Sequence, residues 1–225
     1  MIKGVCFDLF HTLVDVGSVP DHVGRYTADV LGVDAARWNQ ACFSFDHEIT
    51  RPTSHFDSLK KMAHGIDPSI PDELIQNASD ERQARFDYAL VNVPDDVLTV
   101  LSSLREQGLK LALVSNASSG EVEAWPRSPM AELFHSAIFS CDVGSRKPEP
   151  DIYHAALNGI GLSAGECVFV GDGGSDEHIG AGEVGLHSIL ITQYLHSAVN
   201  VDSQRALVTR EISHITQLPQ LLEQF

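Results

Sequence analysis

With 225 residues and 43% apolar content, the chain has room for one large domain, or for a core domain carrying an insert, and disorder is excluded. Lys and Arg total 15 against 31 Asp and Glu, a formal charge of −16, which argues against nucleic acid or an anionic membrane surface as partner. Any anionic substrate would therefore need a local positive centre, from a metal or a few placed Lys and Arg.

The four cysteines, Cys6, Cys42, Cys141 and Cys167, show neither zinc spacing nor a disulfide framework. The start runs straight into an apolar stretch, leaving no room for a signal peptide, and no apolar run approaches membrane-spanning length. A cytoplasmic location is the expectation, with no membrane partner.

In chain order, Gly4–Phe7 reads as a short buried strand. It delivers Asp8 at its end, then a hydroxyl at Thr12, and turns apolar again at Leu13. From about residue 19 to 91 no strand is predicted. Helical spacing instead links Tyr26, Val30 and Leu31, then Trp38, Cys42, Phe43 and Phe45. A third helix carries Phe56, Leu59, Met62 and Ala63 and is expected to end at Gly65. A long fourth, entered through Pro71-Asp72, carries Leu74, Ile75, Ala78, Arg82, Phe86 and Ala89.

Beyond Pro94 the pattern alternates. Helices are predicted at 97–107, 150–158, 175–184 and 218–225, and strands at 109–114, 137–140, 167–170 and 187–191. Residues 197–209 are polar and receive no assignment. Such alternation implies an α/β fold: a doubly wound, three-layer Rossmann-like core with a parallel sheet, residues 1–15 and 93–225. An all-helical cap domain, residues 16–92, is spliced in after the first strand. Right-handed crossovers bring the strand ends to one edge, where open α/β sheets place their ligands.

Four strand ends carry polar residues. They are Asp8; Ser115-Asn116; Arg146-Lys147-Pro148-Glu149-Pro150; and Gly171-Asp172-Gly173-Gly174-Ser175-Asp176-Glu177, leading to Gly180-Ala181. Each alone reads as a turn or a helix start. Their joint occurrence on successive strand ends does not.

In this order the four stretches resemble the four motifs of the haloacid dehalogenase superfamily, and the resemblance spans essentially the whole chain. It implies that Asp8 is a nucleophile, forming an acyl phosphate that splits a difficult hydrolysis into two steps. Ser115, helped by the backbone N–H of Asn116, would bind phosphoryl oxygens, and Lys147 would offset charge on the nucleophile and the transferring group. Mg2+ would be held by the Asp8 and Asp172 side chains, the backbone carbonyl of Phe10 and a second acid of the last loop. Anchoring on Gly180-Ala181 makes that acid Glu177; the shorter spacing selects Asp176. We take Glu177, leaving Asp176 to cap the following helix. The implied partner is a small, phosphorylated molecule, which Thr12 and Arg51 are also expected to contact.

One position departs from the family's commonest pattern. Phe10 stands where most phosphatases of the superfamily carry a second Asp that protonates the leaving group, a role worth about 10²–10⁴-fold. Three readings follow. A phosphatase could use a good leaving group or another proton source, such as the adjacent His11. A 2-haloacid dehalogenase-like enzyme has an aromatic residue here and needs neither proton nor magnesium, but lacks the acidic loop seen at Asp172. A non-catalytic relative that binds a ligand or partner would have no need of Asp8. The magnesium-dependent phosphatase is favoured. The cap is expected to enclose the substrate and to open about hinges near residues 15–17 and 92–94, with Arg51 on a rim loop.

Overall fold

The computed structural model describes residues 1–44, 47, 54–195 and 201–225. Among these, six strands form one parallel sheet: β1 (Gly4–Phe7), β2 (Lys110–Ser115), β3 (Ser136–Phe139), β4 (Cys167–Gly171), β5 (His187–Ile191) and β6 (Arg210–Ile212), in the order β3-β2-β1-β4-β5-β6. The order reverses at β1, so β1 and β4 flank the switch point of a doubly wound sheet. Register pairs Phe7 with Leu113 on one side and with Val170 on the other. Asp8, Ser115 and Asp172 thus leave their strands at nearly the same height.

Alternation along the strands sorts the core into two layers. Val5, Phe7, Leu111, Leu113, Val168 and Val170 pack with Val97, Leu101 and Leu104 of one helix and with Ile215 and Leu218 near the C-terminus. Cys6, Ala112, Val114, Cys167 and Phe169 face the other way, onto Ile152, Tyr153, Ala156 and Ile160. All of these strand residues are at most 1% exposed, as expected of a parallel sheet covered on both faces.

Among the described residues the insert holds four helices: α1 (Thr27–Leu31), α2 (Ala35–Cys42), α3 (His55–Ile66) and α4 (Asp72–Val91). They bury a core of their own around Trp38, Leu59, Ala63, Ile75 and Ala78. The 20-residue α4 belongs to both parts: its far end, Phe86, Ala89 and Leu90, joins the main core. The remaining helices are α5 (Asp95–Glu106), α6 (Ser140–Val143), α7 (Pro150–Ile160), α8 (Glu177–Glu183), α9 (Val201–Arg205) and α10 (Leu218–Leu222).

Three local expectations need correction. Gly65 lies inside α3, which runs one residue further and is closed by the Asp67 N–H bonding to the Ala63 carbonyl at 2.8 Å. The helix expected from 175 begins at Glu177, because Ser175 and Asp176 adopt left-handed backbone (φ 53° and 51°). Within the unassigned stretch 197–209 lies α9, and the edge strand β6 follows directly after it. In β6 only Ile212 is buried, so three residues gave no alternation to read. No helix among the described residues is long and apolar enough to cross a membrane.

Candidate active site at the switch point

Asp8 ends β1, and its N–H donates to the Val170 carbonyl at 2.9 Å, extending the β1–β4 pairing by one step. The side chain is buried, and its Oδ1 receives the Lys147 ammonium at 2.5 Å. The same Nζ reaches Glu177 Oε2 at 2.6 Å. Carboxylate oxygens of Asp8, Asp172 and Glu177 lie within 4.8 Å of one another, and all three residues are buried. Two strand ends, one helix start and the loop after α6 therefore converge on a few ångströms.

Local structure explains how each group arrives. Gly171 leaves a gap that Glu177 fills: a Cβ there would sit 2.1 Å from Glu177 Oε1. Gly173, at φ 94°, turns its N–H onto that oxygen at 2.8 Å. The N–H of Gly174 holds Asp172 Oδ1 at 3.0 Å. Tyr153, fully buried on α7, donates its hydroxyl to the Glu177 carbonyl at 2.8 Å and ties the start of α8 to the core.

Asn116 also has a side-chain task. Its Oδ1 accepts from the Lys147 N–H at 2.8 Å and its Nδ2 donates to the Lys147 carbonyl at 3.1 Å. The side chain clamps the lysine loop, leaving the backbone N–H for any ligand. Ser115 Oγ is buried with no hydrogen-bond partner among the described residues, and so is Thr12 Oγ1. A buried orphan hydroxyl is costly unless something arrives to use it. Arg51, like Phe45, lies outside the described residues. Of the two competing acids, Glu177 is the one in the cluster; Asp176 makes no side-chain capping bond to α8.

Electrostatically the cluster is unbalanced: three carboxylates face one ammonium. Burial alone would lower the Lys147 pKa, but the Asp8 and Glu177 charges win and hold it well above the usual range. Burial, then the negative charges of Asp8 and Asp172, push Glu177 up to about 8 against the pull of Lys147. Burial and Asp8 raise Asp172 as well. Such a site favours a further cation.

Phe10 turns its ring onto the cap. It meets Phe86 of α4 edge-on, with centroids 5.2 Å apart. His11 adopts left-handed backbone (φ 62°) and pairs with Asp15 at 3.2 Å. Burial works against its protonated form, yet the Asp15 hydrogen bond and the charges of Asp172, Asp15 and Asp8 raise its pKa overall.

Comparisons with known proteins identify the family and the fold. The profile of the haloacid dehalogenase-like hydrolases matches residues 2–182, and the chain belongs to that family. It is a hydrolase with the Rossmann-like core and helical insert of that fold. Among characterised relatives, a glyceraldehyde 3-phosphate phosphatase of Methanopyrus kandleri is 27% identical over 202 residues, 85% of this chain and 84% of that protein. A phosphoglycolate phosphatase of Aliivibrio fischeri is 29% identical over 228 residues, 95% of each. Among solved structures, an L-2-haloacid dehalogenase from Xanthobacter autotrophicus with chloropropionic acid covalently bound superposes with a TM-score of 0.70 at 20% identity, over 99% of each chain, which shows the shared fold.

Proposed function

We propose that this hydrolase is a magnesium-dependent phosphatase of a small phosphate ester, acting through an aspartyl phosphate on Asp8. The observation that carries the reading is the buried convergence of Asp8, Asp172 and Glu177 with one ammonium for three carboxylates. A dehalogenase, whose leaving group departs as an anion without such a centre, has no use for that surplus of negative charge. Asp8, Asp172, Glu177 and the Phe10 carbonyl are the groups that would hold Mg2+, which would screen the carboxylates from the incoming phosphoryl group.

Asp8 attacks phosphorus; an O–P bond forms as the ester P–O bond breaks, and water later opens the acyl phosphate, releasing phosphate and restoring Asp8. Lys147 fixes Oδ1 of Asp8 and so orients the nucleophile. The Ser115 hydroxyl, free of other partners, donates to a phosphoryl oxygen. The leaving oxygen needs a proton that Phe10 does not supply. We assign that task to His11, held by Asp15 in a strained backbone conformation within electrostatic reach of Asp8. Residues 16–92 serve as the cap, moving about residues 15–17 and 92–94.

The test is phosphate release from a panel of small phosphate esters. Activity is expected to require Mg2+ and to fall to background in Asp8→Asn. Halide release from a 2-haloacid that persists in excess chelator would replace this reading with dehalogenation, which the aromatic Phe10 would then explain.

A further inference from the structure

The loop that presents Asp172 and Glu177 is touched from outside by one side chain of α9. Of the five residues of that helix only Gln204 is buried, at 8% exposure. A Cβ at Gly173 would lie 2.7 Å from Cγ, 2.8 Å from Cδ and 3.1 Å from Oε1 of Gln204. The glutamine therefore lies against the bare face of that glycine, with its amide oxygen rather than its nitrogen toward the loop. Oε1 is buried and has no hydrogen-bond partner among the described residues. The neighbouring N–H groups are already spent: Gly173 donates to Glu177 at 2.8 Å and Gly174 to Asp172 at 3.0 Å.

Packing alone does not account for a glutamine here. Leucine fills a similar volume and leaves no orphan acceptor. A buried acceptor without a donor is costly, so the position calls for a donor that arrives from elsewhere. The carboxylates of the loop are acceptors only. Their cluster with Asp8 carries a surplus of negative charge and favours a cation. Magnesium keeps several of its waters when it binds, and those waters are donors polarised by the ion.

Resting on the phosphatase reading above, we infer that Gln204 is a positioning residue of the cation site. Its Oε1 accepts a hydrogen bond from a water of the bound Mg2+ beside Asp172, and its stem supports the reversal at Gly173 that aims Asp172 and Glu177. That support matters because the loop is held in left-handed backbone at three of four successive positions: Gly173 (φ 94°), Ser175 (φ 53°) and Asp176 (φ 51°). Partners that orient a metal's ligands in this way are worth about 10–100-fold in metal affinity.

The experiment titrates Mg2+ alone into the protein by calorimetry, without substrate, and melts the same proteins in chelator. Gln204→Leu keeps the volume and removes the acceptor. Its Mg2+ affinity should fall about tenfold or more, while its melting temperature in chelator stays at or above that of the wild type, because a buried orphan is gone. Gln204→Glu keeps the acceptor and should bind Mg2+ within about threefold of the wild type, or more tightly. A purely structural role predicts the reverse order, since leucine packs there and a buried carboxylate does not. Mg2+ affinity of Gln204→Leu within twofold of the wild type overturns the inference and leaves the phosphatase reading intact. Weakened binding together with a melting temperature in chelator well below the wild type overturns it too, and makes Gln204 a packing residue. A wild type that binds no Mg2+ and releases phosphate from no ester in the panel sinks the phosphatase reading and this inference with it.

Discussion

The molecule buries two ionic clusters, and they are built on opposite principles. At the switch point, three carboxylates meet one ammonium, carried by two strand ends, the start of α8 and the loop after α6. At the seam between insert and core, Glu121 is matched by Arg82, with His47 on the same oxygen. The first is uncompensated and is completed only by something that binds. The second is compensated by its own partners. The difference teaches where each kind of cost is carried: buried like charges are tolerated where chemistry needs them, whereas a balanced pair spends its charge holding two parts of the chain together.

The comparison breaks most sharply at Asp8. Asp8→Asn should abolish phosphate release while the protein stays folded, because losing one of three crowded carboxylates relieves repulsion. A far-UV and thermal-melting profile at least as stable as wild type, measured in chelator, checks the second half. The opposite is expected at the seam. Arg82→Met leaves the buried Glu121 without its guanidinium and should cost about 3 kcal/mol of unfolding free energy. Adding Glu121→Gln should recover most of that loss, which urea denaturation of the single and double variants will show.

The seam also makes a pH prediction. The Glu121 pKa, about 2, lies below its unfolded value of about 4.3, so its contribution is complete above the unfolded value. That contribution is lost as pH falls from about 5 toward 2, and Arg82→Met should flatten this limb of the stability profile.

Between these effects lies His11→Ala. If His11 protonates the leaving oxygen, kcat for an alkyl ester falls by about 10²-fold at neutral pH. Turnover of p-nitrophenyl phosphate, whose leaving group needs no proton, changes far less. Equal loss on both substrates would remove His11 from that role.

The two clusters also differ in how visible they are in the sequence. The groups at the switch point follow apolar strand runs and sit among turn residues, so Asp8, Ser115, Lys147 and Asp172 stand out by position. Glu177 required a choice against Asp176, and the backbone reversal at residues 175–176 that decides it leaves no periodic trace. Tyr153 could have been flagged, since a phenol on the apolar face of a helix needs a partner. The seam had no such signal. Arg82 and Glu121 are 39 residues apart, His47 and Glu121 are 74 apart, and each reads alone as a solvated surface group. Only the docking of α4 onto the loop after β2 brings them together. The fold was legible because strands and helices alternate with punctuation; β6 escaped because an exposed edge of three residues carries no pattern.

Phe10 stands between the two clusters and offers the smallest effect. Its ring packs on Phe86, and the Arg82 guanidinium lies 4.6 Å over the far partner of that pair, Phe86 itself. The two rings thus form an apolar wall between the end of β1 and the Arg82–Glu121 pair. Phe10→Leu keeps the wall and the backbone carbonyl but loses the edge-to-face geometry, worth about 1 kcal/mol. Stability should drop by that amount, with kcat within a few-fold of wild type. A large loss of kcat at unchanged stability would mean that the aromatic ring itself takes part in the reaction, and would move Phe10 from the wall into the chemistry.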